Sequence, residues 1–381
     1  MNWCSTPDRV GQRHRRRLEL SPDRNDIGHC MSVFAKKVAN WQVKEGRHGL
    51  PWQDTGAPYC IWLSEIMLQQ TQVATVIPYY RRFLQRFPNV ATLAAADVDD
   101  VMRCWAGLGY YARARNLHLA ARQIVEYHQG VFPGKFDAIL SLPGIGRSTA
   151  AAISAFAYGE RRPILDGNVK RVFSRHFGVE GNVKSKSVED ALWLIAEKKL
   201  PKTEIEVYTQ GLMDLGATIC TRTKPACPLC PVRKSCVAFN HGRIAELPGK
   251  ENKRDKPHRQ TRMLVILSHG EVLLEKRPPT GIWGGLWCLP EMPLEQDVFE
   301  CLRKRFAING KIERELDRVE HGFTHYSLSI FPVEIEVTVI EPRAMEAGLM
   351  WVKLGEVLDA AIPAPVKRIL HARLANARSG D

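Results

Sequence analysis

The sequence predicts a multidomain protein in which an all-α region precedes a smaller α+β domain. Three observations carry this expectation. From residue 31 to about 240, apolar residues recur at helical spacing and no alternating strand pattern interrupts them. Residues 241–260, HGRIAELPGKENKRDKPHRQ, are polar, Pro-containing and dense in Lys and Arg, which reads as a linker. Beyond them the apolar period switches to two. A length of 381 residues accommodates two such domains. No uninterrupted apolar run approaches the roughly 18 residues that a membrane span needs.

Residues 1–30 are polar, Arg-rich and weakly patterned, with a knot at Arg13, His14, Arg15, Arg16 and Arg17. They read as a disordered basic leader, the alternative being a nucleic-acid-binding arm. Val33, Phe34, Val38 and Trp41 open the helical region, and Ile61, Leu68 and Val76 mark the next stretch. Helix-like segments follow at 98–105, 112–128, 148–158, 186–198 and 206–215. In the last domain, 261–381, MLVILSHGEVLLEK reads as a hairpin around Ser268, His269 and Gly270, and Val333–Glu341 alternates as a strand. Helical segments at 296–306 and 362–375 complete it.

Charge points to a polyanionic partner. The chain carries 54 Lys+Arg against 41 Asp+Glu, a net +13. Residues 31–240 hold 27 basic and 17 acidic residues, whereas 261–381 hold 15 and 17. The surplus lies in the helical region and linker, so phosphate contacts are expected there and not in the last domain. The opening MNWCSTPDRV has no apolar signal core, which reads as a cytoplasmic protein.

Four motifs carry chemistry. Cys220, Cys227, Cys230 and Cys236 bring four thiols within 17 residues, with Pro225, Pro228 and Pro231 between them. Such a set can wrap one metal centre. A zinc knuckle is the alternative; zinc sites more often pair two CxxC units, and the single one here favours iron–sulfur. Arg222, Lys224, Arg233 and Lys234 decorate the same loop and could face DNA phosphates. The stretch Leu142-Pro143-Gly144-Ile145-Gly146-Arg147-Ser148 precedes an Ala-rich helix. It is either an ordinary interhelical turn or a hairpin whose N–H groups bind a phosphate at a helix N-terminus. Asp166, before Gly167 and Asn168, is a natural helix cap. It could also place a carboxylate at a cleft mouth beside Lys170 and Arg171. Glu65, in Trp62-Leu63-Ser64-Glu65-Ile66-Met67-Leu68-Gln69-Gln70, shares a helical face with Ile61 and Leu68. A carboxyl on an apolar face either pairs with an Arg or acquires a raised pKa suited to a general acid.

In combination these motifs, with Gly107-Leu108-Gly109-Tyr110-Tyr111-Ala112-Arg113 between the first two in chain order, are specific. The chain resembles the helix-hairpin-helix DNA glycosylases that carry an iron–sulfur loop. Within them it is similar to the MutY family, which removes adenine mispaired with 8-oxoguanine. The resemblance runs from Met31 nearly to the C-terminus. It implies a helix-hairpin-helix glycosylase core with a 4Fe-4S cluster on the four cysteines, and duplex DNA holding A:8-oxoguanine or A:G mispairs as partner. It also implies a monomeric bacterial enzyme working at the nucleoid. Glu65 would protonate the departing adenine and Asp166 would stabilise the sugar cation. Gln70 and Tyr110 would wedge the base stack, with Gly144, Gly146, Ser148 and Lys170 against the DNA. Leu50, Trp52 and Gln210 would line the adenine pocket. Related bifunctional enzymes carry a nucleophilic Lys where this chain has Ser148, so base removal without efficient strand cleavage is expected.

The stretch Gly281–Glu291, GIWGGLWCLPE, resembles a Nudix-like fold, but Glu291, Glu295, Asp297 and Glu300 do not form the Glu-rich box that holds Mg²⁺. Phosphohydrolase activity is therefore not expected. The resemblance implies instead 8-oxoguanine recognition by Phe323, Thr324 and His325, where many relatives have Phe-Ser-His.

Overall fold

The computed structural model describes residues 31–53, 55–249, 256–323, 325–340 and 348–378. The leader 1–30 and Thr324 lie outside the described residues. Two compact units emerge, one within Met1–Thr92 and Ala120–Asn252, the other within Leu93–Leu119 and Lys253–Asp381. Residues 93–119, read from the sequence as part of the helical domain, group with the C-terminal unit.

In the first unit, α1 (Val33–Glu45) starts where Ser32 Oγ accepts from the Ala35 N–H at 3.2 Å. It buries Phe34, Ala35, Val38 and Ala39. Helix α2 (Pro58–Leu68) opens on a proline, which costs nothing at a first turn that lacks intrahelical N–H bonds. It is apolar almost all round. The next helix, α3 (Val73–Arg86), is separate: Gln70 takes a φ of 56° and breaks the chain between them. Short α4 (Val90–Ala95) and α5 (Val98–Trp105) follow, and α6 (Ala112–His128) returns the chain to the first unit. That unit is completed by α7 (Phe136–Leu140), α8 (Arg147–Tyr158), α9 (Gly167–Phe177), α10 (Lys186–Lys199), α11 (Ile205–Asp214), a π turn at Leu215–Ile219 and α12 (Val237–Asn240). Its core gathers Phe34, Val38, Leu165, Phe173, Leu212 and Leu215. Ala150, Ala151 and Ala152 are buried on α8, and their small side chains let α2 pack closely on that helix.

The second unit is built on a mixed sheet of β1 (His258–Ser268), β2 (Glu271–Lys276), β3 (Trp287–Cys288), β4 (Glu291–Met292), β5 (Ile308–Glu315), β6 (Val319–Gly322), β7 (Ser327–Ile340) and β8 (Leu349–Lys353). The strand order is β3-β2-β1-β7-β5, with β4 on β1, β6 on β7 and β8 on β2. The β1–β2 hairpin turns through His269 and Gly270, both with positive φ, as a tight two-residue turn requires. The central β1 and β7 run parallel, which demands a long crossover. Part of that crossover is α13 (Val298–Cys301), which passes directly into a π turn at Leu302–Phe306. Helix α14 (Ala364–Arg378) closes the unit. Leu264, Ile266, Leu273, Val333 and Ile335 form its core. Within this unit Asp99 of α5 pairs with Lys276 of β2, and Arg115 of α6 donates to the Gly284 carbonyl.

Candidate active site

The two carboxylates of the site come from α2 and α9. Trp62, Leu63, Ile66 and Met67 bury α2 around Glu65, and the loss of hydration pushes the Glu65 carboxyl up to about 8. The negative charge of Asp166 raises it further. Asp166 caps α9, its Oδ1 accepting from the Val169 N–H at 2.8 Å. Burial raises the Asp166 pKa, while the Val169 N–H, Arg171, the Asn168 N–H and Lys170 all favour its charged form. The two environments differ: burial and a neighbouring carboxyl both weigh against the charge of Glu65, whereas at Asp166 two N–H groups and two cations oppose the effect of burial.

The Leu142–Ser148 hairpin is anchored from below by buried Leu142 and Ile145. Gly144 adopts a left-handed φ of 80°. Gly146 caps α8, and a Cβ there would meet nothing within 4 Å. No internal contact demands glycine at this position, whereas the close approach of another backbone would. Gln69 Nε2 donates to Thr149 Oγ1 at 3.3 Å and reaches the Gly144 carbonyl at 3.5 Å, tying the end of α2 to the hairpin. Exposed Gln70 is the next residue. Ser148 Oγ accepts the Leu165 N–H at 2.9 Å and so fixes the segment that presents Asp166. Lys170 is ion-paired with Glu189 at 2.9 Å.

Leu50, Trp52 and Gln210 belong to the same unit as Glu65. Trp52 is buried edge-on against Tyr80, with ring centroids 5.3 Å apart. The loop bearing Leu50 is pinned by Gln53, whose Oε1 accepts the Leu50 N–H at 3.0 Å and whose Nε2 donates to the Arg47 carbonyl at 3.1 Å. Gln210 Nε2 donates to Asp214 Oδ1 at 2.8 Å. Asp214 is fully buried and also receives the Arg47 N–H at 2.8 Å and its guanidinium at 2.6 Å. Arg47 and Asp214 therefore join the Leu50 loop to the Gln210 helix. Sequence reading missed both, although a carboxylate one turn from Gln210 on the apolar stripe of Leu212 and Leu215 was a usable signal.

The four cysteines lie on one loop wrapped against α9. Arg171 Nε donates to the Cys220 carbonyl at 2.7 Å and its Nη2 to the Gly216 carbonyl at 2.7 Å. Arg175, buried, donates to the Thr221 carbonyl at 2.7 Å, the Arg222 carbonyl at 3.1 Å and Cys220 Sγ at 3.5 Å. Burial raises the pKa of Cys227, Cys230 and Cys236, and the nearby Cys220 adds to it, so the thiols are near enough to repel as thiolates. Among the described residues, no three His, Cys, Asp or Glu side chains are gathered closely enough to hold a single metal ion. The donors, four soft thiols with a guanidinium at one sulfur, suit a larger thiolate-bound centre.

Three further predicted residues, Tyr110, Phe323 and His325, stand in the second unit. Tyr110 is exposed with a φ of 49°, following Gly107 at 98° and Gly109 at 76°. Arg113 lies over the rings of Trp105, at 5.3 Å, and Tyr110, at 5.5 Å, and donates to the Gly109 carbonyl at 3.0 Å. Phe323 packs with His321 at 4.5 Å, Tyr326 at 4.7 Å and Trp283 at 5.4 Å, and His325 is exposed. Trp283 and His321 were not foreseen. Glu291 and Glu275 are held by Arg277 and Arg305 respectively, so these carboxylates serve the domain's own ion pairs.

A family model described as "HhH-GPD superfamily base excision DNA repair protein" matches residues 63–198, and one described as "NUDIX domain" matches residues 262–372. The chain is 38% identical over 340 residues to an adenine DNA glycosylase of Buchnera aphidicola subsp. Acyrthosiphon pisum, covering 89% of this chain and 97% of that one. It is 30% identical over 409 residues to an adenine DNA glycosylase of Homo sapiens, covering 90% and 74%. Among solved structures, a thermostable thymine-DNA glycosylase superposes with a TM-score of 0.50 at 30% identity, covering 55% of this chain and 96% of that one. A helical core like this one thus also serves an enzyme named for another base, and base choice must rest on side chains.

Proposed function

The chain belongs to the adenine DNA glycosylases, base-excision-repair enzymes that hydrolyse an N-glycosidic bond, and on that premise we propose that it excises adenine opposite 8-oxoguanine or guanine in duplex DNA without efficient strand cleavage. The raised pKa of Glu65, beside an Asp166 whose charged form is favoured by the Val169 N–H, Arg171 and Lys170, carries this reading. Anionic adenine is a poor leaving group, so the base must gain a proton as the C–N bond breaks. Glu65, protonated up to pH about 8, supplies it. The bonding electrons leave with the base, and the sugar becomes an oxocarbenium-like cation. Ionised Asp166 stabilises that charge, and the Glu65 carboxylate then takes a proton from the attacking water.

The base must leave the stack to reach Glu65. Gln70 and Tyr110 fill the gap, while Leu50, Trp52 and Gln210 receive the adenine. Gln210 is pre-oriented by its bond to Asp214. The hairpin at Gly144 and Gly146, with Ser148 and Lys170, tracks the phosphates, and the basic surplus of residues 31–240 supports this. Ser148 is a hydrogen-bond acceptor with no amine to form a Schiff base. Phe323 and His325 supply 8-oxoguanine recognition together with Thr324, which lies outside the described residues. Cys220, Cys227, Cys230 and Cys236 would hold a 4Fe-4S cluster, which would supply a structural crosslink to the loop. The enzyme works as a monomer, in the cytoplasm of a bacterium.

A glycosylase assay on duplexes with A opposite 8-oxoguanine, G or T, with and without alkali, tests this. Release is expected fastest opposite 8-oxoguanine and slowest opposite T, with strand breaks only after alkali. Equal rates in all three, or strand breaks trapped by borohydride without alkali, would overturn it.

A further inference from the structure

The GIWGGLW stretch, which the chemistry above leaves without a role, is wound tightly against the segment that bears Tyr110. Gly281, Trp283 and Gly285 all have left-handed φ, of 86°, 54° and 76°. A bulky Trp keeps that conformation only where its surroundings over-determine it. A Cβ on Gly284 would stand 2.8 Å from the Pro279 carbonyl oxygen and 3.0 Å from that of Pro278, so the backbone folds onto itself there. The Gly285 N–H donates to the Pro278 carbonyl at 3.0 Å. The Gly284 carbonyl that this winding presents is taken by Arg115 Nη1. Around Gly285, the Cβ position faces Arg115 at 3.5 Å and Met102 at 3.9 Å.

A second tie lies on the other side of Tyr110 in the chain. Asp99 pairs through Oδ1 with Lys276 of β2, and its Oδ2 accepts from Trp287 Nε1 of β3 at 3.3 Å. The Lys276 ammonium also sits over the Trp287 ring, 4.7 Å from its centroid. All partners are no more than partly exposed, where such charge-assisted bonds hold geometry better than open surface pairs. From these two anchors, short paths lead to both ends of the unit. One runs from α5 through Trp105 and Arg113 to the Tyr110 ring. The other runs from Gly284 to its neighbour Trp283, which packs on His321 at 5.7 Å and on Phe323 at 5.4 Å.

We propose that Asp99 and Arg115 are positioning residues that hold Tyr110 in fixed register with the Phe323 loop, so that preference for 8-oxoguanine over guanine opposite the adenine depends on them. This rests on the substrate reading above. Asp99 and Arg115 belong to the second unit, whereas Leu50, Trp52, Gln210, Glu65 and Asp166 belong to the first. Their loss therefore slows excision where the lesion loop has something to read, and leaves the slower reaction opposite G unchanged.

Single-turnover adenine release opposite 8-oxoguanine and opposite G tests this in the full-length protein, for wild type, Asp99→Ala, Arg115→Ala, the double variant, and the conservative Asp99→Glu and Arg115→Lys. The wild-type ratio of the two rates should fall about tenfold in the double variant, with the rate opposite G held within twofold. Asp99→Glu and Arg115→Lys should restore most of the ratio, which general loosening of the fold would not predict. A double variant that keeps the wild-type ratio overturns the positioning role while leaving the substrate reading intact. Equal loss of both rates also overturns it. A wild-type enzyme without any preference defeats the substrate reading itself, and the positioning role with it.

Discussion

Burial denies the Glu65 charge its hydration and raises its pKa, and the proposed role as general acid then has two measurable consequences. Adenine release should fall on the alkaline side of pH about 8, as the acid ionises. In Asp166→Asn the repelling charge is gone, so the residual activity should lose its alkaline limb at a lower pH than wild type; an unmoved limb would show the two groups uncoupled. Stability responds with a defined sign. The Glu65 carboxyl ionises near its ordinary 4.5 in the unfolded chain but near 8 in the folded one. Folding takes up a proton between these values, so the folded state loses stability as pH rises through that window. Glu65→Gln removes the penalty and should melt higher than wild type at pH 8, with no advantage at pH 4, by differential scanning calorimetry. Glu65 stood out in the sequence as a carboxyl on a helical face with Ile61 and Leu68, and Asp166 as a cap before Gly167 and Asn168. Arg47 was not, since its partner Asp214 is 167 residues away. Arg47→Ala strands the buried Asp214 carboxylate and should cost about 3–5 kcal/mol, read from thermal melting.

Helix α9 links the cysteine loop to Asp166. Its cap is Asp166, and Arg171 and Arg175, on successive turns, grip that loop. Arg175→Ala should therefore lose visible iron–sulfur absorbance and adenine release in parallel; a variant that keeps full release after losing the absorbance would uncouple them. Close packing at the start of the same helix sets a second constraint. A Cβ on Gly216 would stand 2.5 Å from Asn168 Cβ and 3.1 Å from its Cα. Gly216→Ala must shift the residues beside Asp166, and single-turnover release should drop at least tenfold while duplex binding persists. Periodicity placed the long helices well, as at Val98–Trp105 and Ala112–His128. It did not reveal α9 beyond its cap, or the break at Gln70. That break depends on Gln69 reaching the hairpin some 75 residues on, a tertiary contact with no local signature.

Across the whole molecule, the switch of apolar period after residue 260 marked the second fold correctly, and the sheet is the α+β arrangement it implied. The grouping of residues 93–119 with that sheet was invisible, because single side chains such as Asp99 and Arg115 make the ties and no pattern announces them. Charge bias was legible from counting alone, and the proposal that the helical region holds the phosphates rests on it. The proposed function turns on one event, proton transfer from Glu65 to a flipped adenine, so a single comparison tests it most directly. Duplex binding and single-turnover adenine release on A:8-oxoguanine DNA should be measured for wild type and Glu65→Gln. Binding should stay within a few-fold while release falls by roughly 10²–10⁴, the range for loss of a general acid. Near-wild-type release by Glu65→Gln would contradict it.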